Sequence, residues 1–119
     1  ENLFFGFGGK DVSEEVWTRG MRICERLQQR LDDASTLADW AERLSLDVKT
    51  IQRLFAKETG MTFGQWRQQA RLLRALELLA GGEKIIDIAL RLGYDSPGAF
   101  ATMFRKHFGQ TPSQFFAEP

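Results

Sequence analysis

The sequence predicts an all-α chain of about seven helices, in which two similar helical hairpins flank one long linker helix. Two observations carry this expectation. The first is residues 64–79, GQWRQQARLLRALELL, where Trp66, Ala70, Leu73 and Leu76/Leu79 recur at helical spacing and no Gly or Pro follows Gly64. Ala, Leu, Arg and Gln are good helix formers, and at about 1.5 Å per residue such a helix would span roughly 24 Å. The second is an internal repeat. Leu37, Trp40, Ala41 and Leu44 reappear as Ile85, Ile88, Ala89 and Leu92 at one constant offset. Val48, Ile51, Leu54 and Phe55 then match Pro97, Phe100, Met103 and Phe104 at an offset larger by one, Gly60-Met61-Thr62 matches Gly109-Gln110-Thr111, and Trp66 matches Phe115. The added residue falls between the two helices of the hairpin, in a turn, where an insertion disturbs no packed face.

Two short helices joined by a three- or four-residue turn, the second with a polar outer face, form the helix-turn-helix pattern. A pair of them on a rigid spacer suits adjacent major grooves of DNA, whose centres lie about 34 Å apart. Periodicity alone is also compatible with a plain helical bundle, so the ligand has to be argued from the outward residues.

Taken in order, residues 1–10, ENLFFGFGGK, resemble a cleavage site used to remove purification tags, and residues 1–12 are expected to be a tag remnant or linker. Ser13 is placed to cap a helix with Glu14 and Glu15 in its first turn, running to about Leu31 and burying Val16, Trp17, Met21, Ile23/Cys24 and Leu27. Arg19, Arg22, Arg26 and Arg30 would form its solvated face. Ser35 or Thr36 caps the helix 37–44, and Asp47 the helix 48–59, which Gly60 ends in a left-handed cap. These elements make a first subdomain, residues 13–63, followed by the linker helix, 64–80. Gly81-Gly82 breaks the linker and opens the second subdomain, 81–119, with a helix over 84–92. Gly93-Tyr94-Asp95-Ser96 makes its turn, and Ser96 as N-cap with Pro97 as first residue starts a helix to Phe108 that buries Phe100, Met103, Phe104 and Phe108. Thr111-Pro112 begins a last short helix through Phe116 that seals this subdomain with Phe115.

Sixteen basic residues balance sixteen acidic ones, which argues against indiscriminate nucleic-acid binding by charge alone. The distribution is uneven. From Lys49 to Arg74 the chain carries Lys49, Arg53, Lys57, Arg67, Arg71 and Arg74 against Glu58 alone, whereas acidic residues outnumber basic ones before it. Helix 48–59 turns Lys49, Thr50, Gln52, Arg53 and Lys57 outward. Gln presents a donor and an acceptor suited to adenine N6/N7, Arg and Lys suit guanine O6/N7, and Thr and Lys also reach phosphates. The outer positions of helix 97–108 are Gly98, Ala99, Ala101, Thr102, Arg105 and Lys106. A wet helix face of ordinary composition remains the competing reading of these residues.

An enzyme would need a constellation, and one histidine, one cysteine, no metal-ligand spacing, no phosphate-binding glycine loop and no serine elbow supply none; no cofactor or metal is expected. His107 reads as a surface residue. Cys24 cannot form an internal disulfide, and neither a membrane span nor a signal peptide is apparent, so a cytoplasmic, nucleoid-associated protein is expected. The rival class is a helical protein-interaction module, in which Trp17 and the Arg-rich first helix meet RNA polymerase or a sensor domain.

The stretch Ile85-Ile86-Asp87-Ile88-Ala89, with Gly93-Tyr94-Asp95-Ser96, Phe100, Phe104-Arg105-Lys106, Phe108-Gly109 and Thr111-Pro112, resembles the signature of the DNA-binding domain of AraC/XylS-family bacterial transcription regulators. Leu37-Ala38-Asp39-Trp40-Ala41, Arg53-Leu54-Phe55 and Gly60-Met61-Thr62 extend the resemblance to about residues 13–116. It implies seven helices in two helix-turn-helix subdomains, with recognition helices 48–59 and 97–108 in successive major grooves of double-stranded DNA. By position, base-facing roles fall on Lys49, Gln52 and Arg53, with Thr50 and Lys57 nearer the backbone, and in the second copy on Pro97, Gly98, Ala99 and Thr102. The small residues there depart from the polar side chains of many members. They imply that the first copy supplies most polar readout, with Ala99 and Ala101 left for thymine methyls and Arg105 and Lys106 for phosphates. Gln65-Trp66-Arg67 and the Gly93–Pro97 turn resemble members that carry an N-terminal cupin-type sensor domain; small members consisting of the DNA-binding domain alone also exist, and the tag-like start favours the expectation of a missing sensor half.

Overall fold

A computed structural model of the chain describes residues 13–116. Among them are seven helices and no strand: α1 (Glu14–Gln29), α2 (Leu37–Leu44), α3 (Val48–Thr59), α4 (Phe63–Ala80), α5 (Ile85–Arg91), α6 (Pro97–Phe108) and α7 (Pro112–Phe115). The expected tag remnant at 1–12 lies outside the described residues. The chain divides into two compact units, and the division falls within α4. The first unit holds the described residues up to Gln29 and Ala34–Gln68; the second holds Arg30–Asp33 and the described residues from Gln69 on.

In the first unit α1 starts where the Val16 N–H donates to Ser13 Oγ at 3.2 Å, with Glu14 and Glu15 in the first turn facing the positive end of the helix dipole. Its fully buried stripe is Gly20, Ile23, Cys24 and Leu27; Val16, Trp17 and Met21, expected in the core, are only half-buried. Gly20 is where α1 meets α3, since a Cβ there would collide with the buried Leu54 side chain. The cap of α2 is Thr36, not Ser35. Its Oγ1 accepts from the Asp39 N–H at 3.1 Å, and Asp39 Oδ2 accepts from the Thr36 N–H at 2.9 Å, a reciprocal box. The helix closes on Ser45 at φ 55°, and the chain turns into α3 through Asp47, which stands at the N-cap but forms no side-chain cap hydrogen bond, contrary to expectation. Ile51, Leu54 and Phe55 of α3 are buried, and the Phe55 ring meets Phe63 and Trp66 of α4 edge-on at 5.7 and 5.9 Å.

Burial pushes the Cys24 thiol up to about 12, so it stays protonated and unreactive at neutral pH. A chromogenic disulfide reagent at pH 8 is expected to label the native chain only as fast as the first unit opens, and to label it at once in denaturant. Immediate, stoichiometric labelling of the folded chain would contradict this burial.

In the second unit the buried positions of α4 are Ala70, Leu72, Ala75 and Leu78. Leu73, read from sequence as part of the apolar stripe, is 44% exposed. The stripe that begins at Phe63 and Trp66 restarts at Leu72 in a new phase, because each unit's core fixes its own inward positions. Gly82 at φ 84° turns the chain out of α4; Lys84 stands at the N-cap of α5, not within it. Ala75, Leu78, Ile88, Ala89, Leu92, Phe100 and Phe104 form the core, with Leu31, Tyr94 and Phe108 among the half-buried side chains packed on it. Ser96 Oγ accepts from the Ala99 N–H at 3.0 Å and Pro97 follows as first helical residue. Thr111 and Gln114 form a second reciprocal box at the start of α7. Phe115 packs against Phe104 and Phe108 at 5.5 and 5.4 Å but keeps 39% of its surface exposed, so it seals the core less completely than its repeat counterpart Trp66, which is fully buried.

Candidate nucleic-acid interface

The outward face of α3 follows from its inward one. With Ile51, Leu54 and Phe55 committed to the core, Lys49, Gln52, Arg53 and Lys57 are exposed and Thr50 is half-buried. Lys49, Thr50, Gln52 and Arg53 line an open hollow of about 540 Å³ together with Asp47 and Ala56. The four predicted residues nearest the helix start are thus gathered on one concave surface, and Lys57, a turn further on, lies outside it. Asp47 and Ala56 were not predicted to belong there; Ala56 follows from Gln52 by one helical turn, and that spacing is the signal in the sequence that finds it. Within the chain, no hydrogen bond or ion pair among the described residues ties down Lys49, Gln52 or Arg53.

The remaining arginines of the basic stretch are employed otherwise. Arg67 Nη1 donates to the Ser35 carbonyl at 2.7 Å and its guanidinium lies 4.7 Å from the Phe63 ring centroid. Arg71 donates from Nε to the Leu31 carbonyl at 2.7 Å and from Nη2 to that of Asp33 at 3.1 Å. Arg74 pairs with Glu77 at 3.0 Å. Only Lys49, Arg53 and Lys57 of that run point outward from α3, so the local positive charge is narrower than the sequence count suggests.

On α6, Pro97, Gly98, Ala99, Thr102, Arg105 and Lys106 are exposed, and Ala101 is half-buried, which leaves Ala99 as the methyl presented outward. Arg105 and Lys106 sit in the last turn, where they also complement the negative end of the helix dipole. Gly98 is not demanded by packing: a Cβ there would meet only Ser96 Oγ, at an ordinary 3.8 Å. Gly64, near the start of α4, has nothing within 4 Å of its missing Cβ. Among the described residues no group of acidic, histidine or cysteine side chains could hold a metal ion, and no helix is long and apolar enough to cross a membrane.

A family model described as a helix-turn-helix domain matches residues 40–118. The chain belongs to the AraC-type helix-turn-helix family. Among the AraC-type relatives, the HTH-type transcriptional regulator NimR of Escherichia coli K12 is 46% identical over 81 residues, 68% of this chain and 30% of that protein. The HTH-type transcriptional activator RhaR of Mannheimia succiniciproducens is 36% identical over 90 residues, 75% of this chain and 33% of that one. The chain therefore spans about a third of the length of the curated relatives it matches. Among solved structures, the C-terminal domain of AraT, a response regulator from Geobacillus stearothermophilus, superposes with a TM-score of 0.72 at 30% identity, covering 87% of this chain and 84% of that one. The DNA-binding domain of the global transcriptional factor AdpA, solved with a target DNA, gives the same TM-score of 0.72 at 26% identity over 82% of this chain and 88% of its own. The AraC-type fold is thereby shared over both helix-turn-helix copies of this chain, and the relatives it matches are transcription regulators.

Proposed function

We propose that the chain binds double-stranded DNA sequence-specifically, as the DNA-binding domain of a bacterial transcription regulator, with α3 and α6 as recognition helices that enter successive major grooves. The observation that carries this reading is the outward face of α3: two cations and an amide that make no hydrogen bond or ion pair among the described residues, gathered at one hollow on the second helix of a helix-turn-helix, while Arg67, Arg71 and Arg74 are engaged elsewhere. Lys49, Gln52 and Arg53 read base edges, Thr50 and Lys57 approach the backbone, Gly98, Ala99, Ala101 and Thr102 make close or apolar contacts, and Arg105 and Lys106 meet phosphates. Such a protein works in the cytoplasm, at the nucleoid. An N-terminal sensor domain, of cupin type by the resemblance, and RNA polymerase are the partners we propose for the whole regulator, supported by the much greater length of the relatives. The exposed Ile86 and Leu90 on α5, 53% and 64% accessible where the first copy has Ala38 and Glu42, favour a protein contact in addition.

The test is selection from a random duplex library, followed by titration of the winning duplex at several salt concentrations. Two enriched blocks about one helical turn apart are expected. With Lys57, Arg105 and Lys106 on phosphates, log Kd should move with log salt at a slope of roughly 3 in magnitude. An absence of enrichment together with salt-independent, partner-directed binding would overturn the reading in favour of a protein-interaction module.

Gly98 supplies a second check. Gly98→Ala and Gly64→Ala are each expected to stabilise the fold by up to about 1 kcal/mol, since both positions are helical and have room for a methyl. If DNA approaches the backbone at Gly98, only Gly98→Ala also weakens binding, by several-fold, in the same protein preparations. Equal affinity of the two variants would remove Gly98 from the interface.

A further inference from the structure

The second unit contains a four-residue piece of chain, Arg30–Asp33, that comes from the connection between α1 and α2. A half-buried cation fastens it. Arg71 gives its Nε and Nη2 hydrogens to the carbonyls of Leu31 and Asp33, and Leu31 packs on the core of the unit. The piece is also bent on itself, because the Arg30 guanidinium holds both carboxylate oxygens of Asp32 at 3.1 Å. Its other neighbour is the turn that launches α6. A Cβ on Gly93 would stand 3.0 Å from the Asp32 Cα and 3.3 Å from Arg71 Nη2, and φ there is +86°, so this turn passes the piece at a distance that only glycine allows. Next in sequence, the Tyr94 ring lies 6.0 Å from the Arg71 guanidinium and 5.4 Å from the ring of Phe100, the first fully buried side chain of α6. Desolvation lowers the pKa of the Arg71 guanidinium, opposed by Tyr94, Asp32 and Asp33. Its hydrogen bonds run to main-chain oxygens of one short segment, so what it fixes is a backbone path.

Resting on the DNA-binding reading above, we propose that Arg71 is a positioning residue: by pinning Arg30–Asp33 beneath the Gly93-Tyr94 turn, it sets the placement of α6 in the second unit and thereby the reading of the DNA block that α6 contacts. Its role is assigned through the backbone it holds, because Nε and Nη2 are both engaged by the two carbonyls. A lysine at this position would have one ammonium to serve acceptors that the planar fork meets with two separate nitrogens. On the corresponding turn of the first unit the described residues show only a looser contact, Arg19 reaching the Ser45 carbonyl at 3.5 Å from an exposed position. Arg19 is therefore the matched control.

The experiment uses the full chain and three duplexes: the selected site, the same with the α6 block scrambled, and the same with the α3 block scrambled. For Arg71→Ala and Arg71→Lys the ratio of affinities between intact and α6-scrambled duplex is expected to shrink by about tenfold and severalfold respectively, while the ratio for the α3 block stays at the wild-type value. Arg19→Ala should change neither. Amide hydrogen exchange without DNA is measured alongside, and Arg71→Lys is expected to lower protection in α6 over Phe100–Phe104 while α3 keeps its own. Should Arg71→Ala fail to fold, Arg71→Lys carries the comparison. Unchanged discrimination at both blocks in the folded variants would overturn the proposal, as would an equal loss at both. If wild-type protein enriches no duplex, the DNA reading fails, and the exchange pattern then decides the positioning role: unchanged protection in α6 would end it.

Discussion

Trp66→Ala is expected to cost the first unit about 3–5 kcal/mol, the range for removing a large buried aromatic side chain and leaving a cavity. Trp66 is fully buried, stands edge-on to Phe55 at 5.9 Å, and closes a core that also holds Ile51, Leu54 and Phe63. The repeat supplies its own comparison. Phe115 occupies the matching position of the second copy, touches Phe104 and Phe108, and remains 39% exposed, so Phe115→Ala should cost about 1–2 kcal/mol, with the loss in the other unit. Equilibrium urea unfolding followed by amide exchange, which reports the two units separately, checks both values. Equal costs for the two substitutions would mean that Phe115 closes its core as fully as Trp66 does, against the exposure seen here.

Arg53→Ala should weaken binding to the selected duplex by about 1–3 kcal/mol, or roughly 5- to 150-fold, if Arg53 makes a well-formed bidentate contact with a guanine. Its stability cost should be small, because the side chain is exposed on α3 and makes no hydrogen bond or ion pair among the described residues. Gln52→Ala is expected to behave alike at an adjacent base pair. The two are distinguishable from loss of a phosphate contact by competition with altered duplexes. A base contact relaxes discrimination at one position, whereas Lys57→Ala should weaken all duplexes about evenly and lower the salt slope by about 1. If Arg53→Ala left affinity and discrimination at wild-type levels, the outward face of α3 would have to be assigned to another partner.

Much of the helical layout was legible because its signals are local. Ser13, Thr36, Ser96 and Thr111 act as caps through their own hydroxyls, and Gly60 and Gly109 end α3 and α6 at φ 73° and 75°. The outward set on α3 was legible for a related reason: inward and outward positions of a short amphipathic helix fix one another. What stayed hidden depends on tertiary partners. Nothing about Arg67 and Arg71 in the sequence distinguishes a cation bound to a distant carbonyl from one offered to phosphate, and both lie in what reads as a continuous basic stretch. Leu73 and Leu72 are equally apolar, and a helix that contributes to two units need not keep one stripe throughout. Asp47 has a capping residue's identity and position, yet it makes no side-chain cap hydrogen bond and is one of the residues lining the hollow with Lys49. The membership of Arg30–Asp33 in the second unit is likewise a contact of sequence-distant segments that no periodicity reports.

The two copies agree in their end-pieces and differ in their outward faces. Gly60 and Gly109 close α3 and α6 alike, and Thr62 with Gln65 and Thr111 with Gln114 start the following helices by the same reciprocal bonds. Lys57 even matches Lys106, whereas Lys49, Thr50, Gln52 and Arg53 correspond in the repeat to Gly98, Ala99, Ala101 and Thr102. Scaffold and vocabulary are thus written at separate positions. On the proposed reading base preference becomes portable: transplanting the α3 residues onto α6 leaves every cap in place and asks the protein for a direct repeat of one block, limited chiefly by the tighter room around Ala101. A duplicated reader of this kind can acquire a new operator half by half, keeping one foothold on DNA while the other changes its text.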